Sequence, residues 1–256
     1  MNKQREIAYF AGCFMNFMDQ DTGKSAIRLL ERIGCHPIIP KQKCCGLPHL
    51  ANNRMKAFRE HGLFNIRRLM EADCDIVTSC TSCAIVLKRN YPELLGSHKA
   101  GQVAQRTHDI IDYLSEMNIL DDLSQEKGSK TLRAIYHAPC HLKASGNGII
   151  HSRMAFLERI PGLRIDRIDR GCCGMGGTYG IKGSSFTDSM EIGKDLFEAI
   201  KDTHADLILT DCPACKMQIE QGTSMRVTHP VVLIENALRD SNQWRREATS
   251  EEQRSA

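Results

Sequence analysis

Residues 163–174 read Leu163-Arg-Ile-Asp-Arg-Ile168-Asp-Arg-Gly-Cys-Cys-Gly174. The first six residues form a β-rich run, which predicts a strand. Two adjacent cysteines and a glycine follow almost directly, and the glycine permits a close backbone approach or a positive φ angle. The stretch therefore predicts a strand that leads into a loop bearing two thiols.

The same arrangement of cysteines occurs twice along the 256 residues. The spacings are C-x30-C-C-G-x33-C-x2-C and C-x31-C-C-G-x37-C-x2-C, so the order of the motifs is the same in both copies. The first copy contains Cys13, Cys44, Cys45, Cys80 and Cys83, and the second contains Cys140, Cys172, Cys173, Cys212 and Cys215. Ten of the twelve cysteines are thus accounted for, and Cys35 and Cys74 are interpreted as buried structural thiols.

Each cysteine motif follows a predicted strand, and helical stretches lie between the motifs. The predicted strands are Ile7–Phe10, His36–Ile39, Asp75–Thr78, Arg133–Tyr136, Leu163–Ile168 and Asp206–Thr210. Apolar residues recur at helical spacing over Ala26–Ile33, Leu63–Met70 and Thr187–Ile200, where Ile192, Leu196 and Ile200 share one face. Strands that alternate with helices predict an α/β fold of two homologous βαβ-type repeats with parallel sheets.

We expect the first repeat over residues 1–120, the second over 131–240 and a polar tail over 241–256, with Asp121–Lys130 as the linker. The loops at the carboxyl ends of parallel strands gather at one edge of the sheet, where ligands bind. The five cysteines of each repeat are therefore expected to converge at that edge, although they are far apart in sequence.

Composition limits the classes of function. The net charge is only +3 and 5% of residues are aromatic, so the basic, aromatic-lined surface of a nucleic-acid-binding protein is not expected. No apolar run approaches the ~20 residues of a spanning helix, and Met1–Glu6 lacks the apolar core of a signal peptide. We therefore expect a cytoplasmic protein, in which clustered cysteines hold metals or take part in redox chemistry rather than form disulfides.

Five thiols around one point suit an iron–sulfur cluster, because Cys thiolates are its usual ligands. The adjacent Cys44 and Cys45 can reach two irons of one cluster more readily than two corners of one tetrahedron. Zinc is the main alternative, in one half or in both, although it prefers four ligands. Thiol–disulfide exchange through the C-x2-C pairs is a second alternative, but it leaves Cys13, Cys140 and both vicinal pairs unused.

Glycines and histidines extend the candidate sites. Backbone N–H groups of the loop Gly174–Gly180 could form an anion-binding nest that donates to cluster sulfides. His137 and His141 flank Cys140, and His49 follows the first Cys-Cys-Gly motif. Each histidine could donate a hydrogen bond to cluster sulfur, while satisfying a backbone carbonyl is the more ordinary role.

Five parts of the sequence carry a resemblance to a known family. They are Phe10-Ala-Gly-Cys-Phe14, Lys43-Cys-Cys-Gly46, Tyr136-His-Ala-Pro-Cys-His141, Cys172-Cys-Gly174 with Gly177-Thr-Tyr-Gly180, and Thr210-Asp-Cys-Pro-Ala-Cys-Lys-Met-Gln-Ile-Glu220. Over nearly its whole length the chain resembles the cysteine-rich CCG domain family. The tandem form of that domain occurs in the B subunit of heterodisulfide reductase, in iron–sulfur subunits of lactate and glycolate oxidation complexes, and in the C subunit of anaerobic glycerol-3-phosphate dehydrogenase. The motifs look most like the C-terminal part of the last of these.

The resemblance implies two iron–sulfur clusters of the noncubane [4Fe–4S] type. The implied ligands are Cys13, Cys44, Cys45, Cys80 and Cys83 for one cluster, and Cys140, Cys172, Cys173, Cys212 and Cys215 for the other. The implied role is electron transfer in a flavin-dependent oxidoreductase complex of anaerobic respiration, similar to glycerol-3-phosphate dehydrogenase. The implied partners are a flavoprotein dehydrogenase and a ferredoxin-like iron–sulfur subunit. Electrons would pass toward a quinone or another acceptor, with peripheral association at the cytoplasmic face of a membrane.

Two alternatives and one departure accompany the resemblance. A heterodisulfide-reductase-like subunit would itself cleave a disulfide substrate at a noncubane cluster, and a zinc-bearing scaffold would have no redox role. The C subunit of the dehydrogenase normally begins with a ferredoxin-like part that contains two C-x2-C-x2-C-x3-C-P motifs. The 256 residues contain no such motif, so we expect the electron relay to lie on another polypeptide.

Overall fold

Each half of the chain forms one four-stranded sheet in which all strands run parallel. The computed structural model describes residues 5–121, 123 and 131–239, and the chain divides into two compact units, Met1–Met117 and Asn118–Ala256. The two parallel sheets with interleaved helices confirm the predicted α/β fold with two similar halves.

The predicted linker and tail fall on parts of the chain about which the structure says little. Most of the linker, Asp121–Lys130, and all of the tail, 241–256, lie outside the described residues. Within the part that is described, no helix is long and apolar enough to cross a lipid bilayer.

The first unit has the strand order β2-β1-β3-β4. The strands are β1 (Arg5–Tyr9), β2 (Cys35–Ile38), β3 (Asp75–Thr78) and β4 (Thr107–Asp109). The helices are α1 (Gly12–Phe17), α2 (Gln20–Arg32), α3 (Leu47–Ala51), α4 (Met55–Ala72), α5 (Thr81–Ile85), α6 (Tyr91–Leu95), α7 (His98–Arg106) and α8 (Ile110–Glu116). A π-helical turn, Val86–Asn90, joins α5 to α6 without a break. The last three residues of each central strand, β1 and β3, are buried, as expected for strands covered on both faces.

The second unit repeats this topology with the order β6-β5-β7-β8. Its strands are β5 (Leu132–His137), β6 (Leu163–Ile168), β7 (Leu207–Leu209) and β8 (Val227–Thr228). Its helices are α9 (Cys140–Lys143), α10 (Asn147–Leu157), α11 (Phe186–Lys201), α12 (Pro213–Thr223) and α13 (Pro230–Arg239), and a 3₁₀ turn, Gly183–Ser185, precedes α11. The same strand order places the carboxyl ends of the three longer strands side by side in both units.

All six predicted strands are present, with ends within one or two residues of the prediction. The predicted helices are present as well, but two residues assigned to their apolar faces are exposed. Leu63 in α4 is 53% exposed and Ile192 in α11 is 56% exposed. In α11 the buried face contains Leu196 and Ile200, as predicted, and Phe197 in place of Ile192.

Candidate metal centres

The first unit brings its five predicted cysteines together at the carboxyl edge of its sheet. Cys13 lies in α1 after β1, Cys44 and Cys45 lie in the loop after β2, and Cys80 and Cys83 lie at the start of α5 after β3. The Sγ atoms of Cys13 and Cys44 are 3.6 Å apart. Further thiol contacts join Cys44 to Cys45, Cys45 to Cys83, and Cys83 to Cys80. The five thiols therefore form one continuous cluster.

The contacts between these thiols strongly perturb their ionisation. The thiols of Cys13 and Cys45, with the backbone N–H of Gly46, donate to Cys44 and lower its pKa to about 2. The contact with Cys44 raises the pKa of Cys45, the contact with Cys45 raises that of Cys83, and burial adds to both effects. One cysteine is thus stabilised as a thiolate, while its neighbours are stabilised as neutral thiols. All five can be thiolates together only if a cationic group lies among them. The donor set suits a polynuclear metal site.

Buried polar side chains fix the backbone of the Cys44–Cys45 loop. Asn65, on the buried face of α4, accepts from the Lys43 N–H at 2.8 Å and donates to the carbonyls of Lys43 and Cys44 at 3.2 Å. The hydroxyl of Tyr91 donates to the Cys45 carbonyl at 2.9 Å and accepts from Asn65 at 3.0 Å. These hydrogen bonds therefore fix the loop backbone without using the thiols.

Two further features fix the position of the first loop, one against β1 and one against α4. The Gly12 N–H donates to the Gln42 side chain at 3.0 Å, and Gln42 in turn donates to the Tyr9 carbonyl at 3.3 Å. Gly46 has a φ angle of +98°, and a Cβ atom there would lie 2.7 Å from the ring of Phe58. Both the backbone conformation and the close packing require glycine at this position.

The second unit places its cysteines in the same way but leaves the site more open. The Sγ atoms of Cys173 and Cys215 are 3.3 Å apart, and thiol contacts join Cys172 to Cys173 and Cys212 to Cys215. Cys140 lies near enough to Cys212 and Cys173 for their charges to raise its pKa, after the larger effect of burial. Cys140 and Cys172 are exposed, and the other three are buried.

Ionisation in the second cluster follows the same rule as in the first. The thiols of Cys172 and Cys215 donate to Cys173 and lower its pKa to about 3. The contacts with Cys173 and Cys212, together with burial, raise the pKa of Cys215. The second cysteine of one Cys-Cys pair and the first cysteine of the other thus become the favoured thiolates.

The second Cys-Cys-Gly loop is held by different side chains. Ser189 in α11 donates to the Gly174 carbonyl at 2.9 Å, and Gln218 in α12 donates to the Ser189 hydroxyl at 2.8 Å. Gly174 has a φ angle of +88°, and a Cβ atom there would lie 2.0 Å from the Ser189 carbonyl oxygen. No residue other than glycine can occupy this position without a shift of α11.

The predicted anion-binding nest is present only in part. The Gly174 N–H donates to the Cys172 sulfur at 3.4 Å. The N–H groups of Tyr179 and Gly180 instead donate to carbonyls inside the loop, at 3.2 and 2.9 Å. The loop after Gly174 is therefore stabilised mainly by its own turns.

His137 lies close to two thiols of the second site. It ends β5, is 2% exposed, and has a ring nitrogen within 4.8 Å of the Sγ atoms of Cys173 and Cys215. Among the residues that the structure describes, its buried Nδ1 has no hydrogen-bond partner, so this atom does not satisfy a backbone carbonyl. Burial lowers its pKa to about 4. Burial also lowers the pKa of His141, and His49 packs edge-to-face on His61 at 4.6 Å.

Sequence reasoning missed the residues that support the loops. They are Gln42, Asn65, Tyr91, Ser189 and Gln218. A signal existed for Asn65, because it occupies a polar position on the apolar face of α4, next to Ile66 and in line with Phe58, Gly62 and Leu69. No comparable signal marks Ser189 or Gln218.

Cys35 and Cys74 lie outside both clusters. Cys35 begins β2 and is buried, as predicted, whereas Cys74 precedes β3 and is half-buried. Burial raises the pKa of the Cys74 thiol. Cys74 is therefore less buried than we predicted.

Comparisons with known proteins agree with the repeated architecture. A family model described as a cysteine-rich domain, CCG, matches residues 7–88 and 134–220, one segment in each unit. The C subunit of anaerobic glycerol-3-phosphate dehydrogenase from Escherichia coli (strain K12) is 33% identical over 241 residues, which cover 91% of this chain and 59% of that protein. The chain thus spans about three fifths of that relative's length.

Two other relatives extend the comparison. An uncharacterized iron–sulfur protein of Methanocaldococcus jannaschii is 32% identical over 224 residues, covering 86% of this chain and 42% of that protein. Lactate utilization protein A of Geobacillus sp. (strain WCH70) is 30% identical over 238 residues, covering 88% of this chain and 96% of that protein. The similarity therefore extends over both units and, for the last relative, over nearly the whole of its length.

Proposed function

The chain belongs to the cysteine-rich CCG domain family, and on that premise we propose that it is an iron–sulfur subunit of an oxidoreductase complex. The observation that carries the proposal is the continuous cluster of five thiols in the first unit, matched by the same motifs in the second. The similarity to a protein named as an iron–sulfur protein supports the choice of cofactor.

Each unit would hold one cluster through its own five thiolates. The proposed ligands are Cys13, Cys44, Cys45, Cys80 and Cys83 in the first unit, and Cys140, Cys172, Cys173, Cys212 and Cys215 in the second. Five donors that include a vicinal pair exceed what a tetrahedral zinc ion takes, and we propose noncubane [4Fe–4S] clusters in both sites. A cluster supplies one-electron transfer at a potential set by its charge, the hydrogen bonds to sulfur and its exposure.

The protein's own contribution is to hold the thiols in place. The buried Asn65 and Tyr91 fix the loop of the first site, and Ser189 fixes that of the second. Because these contacts are made by buried side chains, little movement of the backbone is expected when the metal changes oxidation state. Small reorganisation of this kind favours electron transfer over a chemical step at the ligands.

We propose a place for the chain in a complex similar to glycerol-3-phosphate dehydrogenase, which the likeness to the C subunit of that enzyme supports. A flavoprotein dehydrogenase would oxidise the substrate, and a ferredoxin-like iron–sulfur subunit would relay electrons to this chain. A quinone or another acceptor would receive them, at the cytoplasmic face of a membrane, in anaerobic respiration.

One observation favours a second candidate function. Cys140 and Cys172 are exposed, whereas every cysteine of the first site is at least half-buried. An exposed pair of ligands would let a small disulfide reach the second site, as in a heterodisulfide-reductase-like catalytic subunit.

Anaerobic purification followed by iron, sulfide and zinc analysis tests the proposal. Two [4Fe–4S] clusters predict about eight irons and about eight acid-labile sulfides per chain. Stoichiometric zinc without sulfide would contradict it, and zinc together with about four irons would place zinc in one half.

Electron paramagnetic resonance then separates the two candidate functions. Spectra are recorded after mixing with a reduced flavoprotein, with a quinol and with a disulfide. Reduction by the flavoprotein or the quinol supports electron transfer. A new signal that only the disulfide induces, and that the exposed-ligand variant Cys140→Ser lacks, supports direct catalysis.

A further inference from the structure

The two candidate sites differ at one position that is equivalent by sequence and by place in the fold. Phe10 and His137 each stand three residues before the first cysteine of their unit, at the carboxyl end of the first strand. Both side chains are buried, with Phe10 at 0% and His137 at 2% exposure. The first site thus has an apolar ring where the second has an imidazole.

The imidazole lies near two sulfur atoms of the second site. A ring nitrogen of His137 lies within 4.8 Å of the Sγ atoms of Cys173 and Cys215, which are themselves 3.3 Å apart. The buried Nδ1 has no hydrogen-bond partner among the described residues. A buried polar nitrogen without a partner is unfavourable, and in the tautomer that carries its hydrogen on the nitrogen nearer the thiols, thiolate sulfur would accept a hydrogen bond from it.

We propose that His137 is a positioning residue that donates an N–H···S hydrogen bond to Cys173 or Cys215 and thereby raises the reduction potential of the second cluster. The inference rests on the proposed function, because it requires a cluster in the second unit. A hydrogen bond to sulfur stabilises the reduced state, which has the greater negative charge, more than the oxidised state. Phe10 has no polar hydrogen to donate, so the first site lacks a donor at this position, and its nearby imidazole is that of His61, whose charge lowers the pKa of Cys44.

The consequence is a difference between two sites that are otherwise built on the same plan. With His137 present, an electron resides on the second cluster more readily than it would with an apolar residue there. The duplicated units then hold two centres of different affinity for electrons rather than two copies of one centre.

The test is a redox titration of the whole chain followed by electron paramagnetic resonance. His137→Phe gives the second site the residue that the first site has at Phe10. At a fixed solution potential we expect the ratio of reduced to oxidised second cluster to fall about tenfold, which is about 59 mV for a one-electron couple. The first cluster serves as the reference in the same sample, and the signals are assigned with Cys45→Ser and Cys173→Ser.

Two amide variants test whether the hydrogen-bond donor is what matters. His137→Asn and His137→Gln retain an N–H group at the place of one or the other ring nitrogen. At least one of them should hold the potential of the second cluster nearer to that of the unaltered protein than His137→Phe does. Phe is closer to His in shape than either amide is, so a change in packing alone would not bring an amide variant nearer to the native potential.

The outcomes separate this inference from the proposed function. Unaltered protein without iron and sulfide would overturn both. Two bound clusters with an unchanged second potential in His137→Phe would overturn the inference alone. If His137→Phe takes up no second cluster, uptake by an amide variant at a near-native potential supports the donor role. Failure of both amides to take up the cluster overturns it.

Discussion

The guanidinium of Arg153 donates a 3.0 Å hydrogen bond to the carboxylate of Asp211, and both side chains are enclosed, at 0% and 1% exposure. The Tyr136 hydroxyl also donates to this carboxylate. Asp211 immediately precedes Cys212, so the ion pair is directly connected through the backbone to a proposed ligand of the second site. Removal of one partner from such a pair leaves a buried charge without its counter-ion.

We expect Arg153→Met to lower the free energy of unfolding by about 3–5 kcal/mol, because Asp211 would remain buried and charged. Urea unfolding of the metal-free protein, followed by circular dichroism, measures the change. The matched control combines Arg153→Met with Asp211→Ser, since the first unit has Ser79 at the corresponding place, 2.5 Å from the Tyr9 hydroxyl. The double variant should recover part of the loss, and additive losses would contradict the explanation.

The glycine of the second Cys-Cys-Gly motif offers a steric prediction. Gly174→Ala would place a methyl group 2.0 Å from the Ser189 carbonyl oxygen in a left-handed conformation. Gly171 is also left-handed, at +72°, but a methyl group there would meet nothing within 4 Å. Gly171→Ala should therefore cost only about 1–2 kcal/mol. Gly174→Ala should cost more and remove the second site's share of iron, as measured by unfolding and metal analysis. Equal effects of the two substitutions would show that the contact with Ser189 is unimportant.

The proposed ligand sets predict which cluster each cysteine supports. Cys45→Ser and Cys173→Ser should each lower iron and sulfide to about half, because each removes a ligand from one site. Cys35→Ser is the control, since Cys35 is buried but outside both clusters. Its iron and sulfide content should match that of the unaltered protein. A Cys173→Ser protein with full iron content would show that the ligand set is wrong.

The buried clamp on the first loop can be tested apart from the thiols. Asn65→Leu removes hydrogen bonds to Lys43 and Cys44 and leaves buried backbone groups without partners. We expect a loss of roughly 3 kcal/mol in unfolding free energy and lower iron content in the first site only. Tyr91→Phe deletes the contact with the Cys45 carbonyl and should cost about 1 kcal/mol. A larger loss of unfolding free energy in Tyr91→Phe than in Asn65→Leu would contradict this prediction and show that Tyr91 is the main support of the loop.

Cys74 predicts a pH dependence that involves no metal ligand. Burial raises the pKa of its thiol, so less reactive thiolate is present at any given pH than in a free cysteine. Alkylation of Cys74 by iodoacetamide should therefore be slow at pH 8 and should keep rising at pH values where a model thiol has already levelled off. Mass spectrometry of the labelled peptide follows the rate. A rate equal to that of the model thiol at pH 8 would contradict the burial effect.

The sequence predicts the fold well wherever a signal is local. Six strands and the helices α2, α4 and α11 follow from runs and periodicities that are complete within ten or so residues. The fourth strands, β4 and β8, have only three and two residues, which is too short for a pattern. The sequence feature that these two strands share is a Thr-His pair, which begins at Thr107 in the first unit and at Thr228 in the second. The predicted burial of Leu63 and Ile192 is wrong because helical spacing shows which residues share a face. It does not show how much of that face the neighbouring elements cover.

The candidate sites, like the fold, are predictable from the sequence only where the signal is local. The repeated spacing identifies ten thiols, and parallel topology explains why they converge. The supporting contacts join residues that are far apart, such as Asn65 with Lys43 and Arg153 with Asp211. Nothing in one segment indicates which distant partner it will meet, so these contacts are visible only in three dimensions. The contrast between Phe10 and His137 was readable in the sequence, but its meaning required the position of the sulfur atoms.

The π-helical turn at Val86–Asn90 has a consequence for the first site as a whole. It lies between Cys83, which belongs to the thiol cluster, and Tyr91, which holds the Cys45 carbonyl. A π-helical turn contains more residues than an α-helical turn, so each residue rotates the chain by a smaller angle. One residue more or fewer would rotate everything beyond it by about 100° around the helix axis. The number of residues in this turn thus sets the angle around the helix axis between the ligand Cys83 and the supporting side chain of Tyr91. An insertion or deletion in this segment should therefore disturb the first site more than a substitution does.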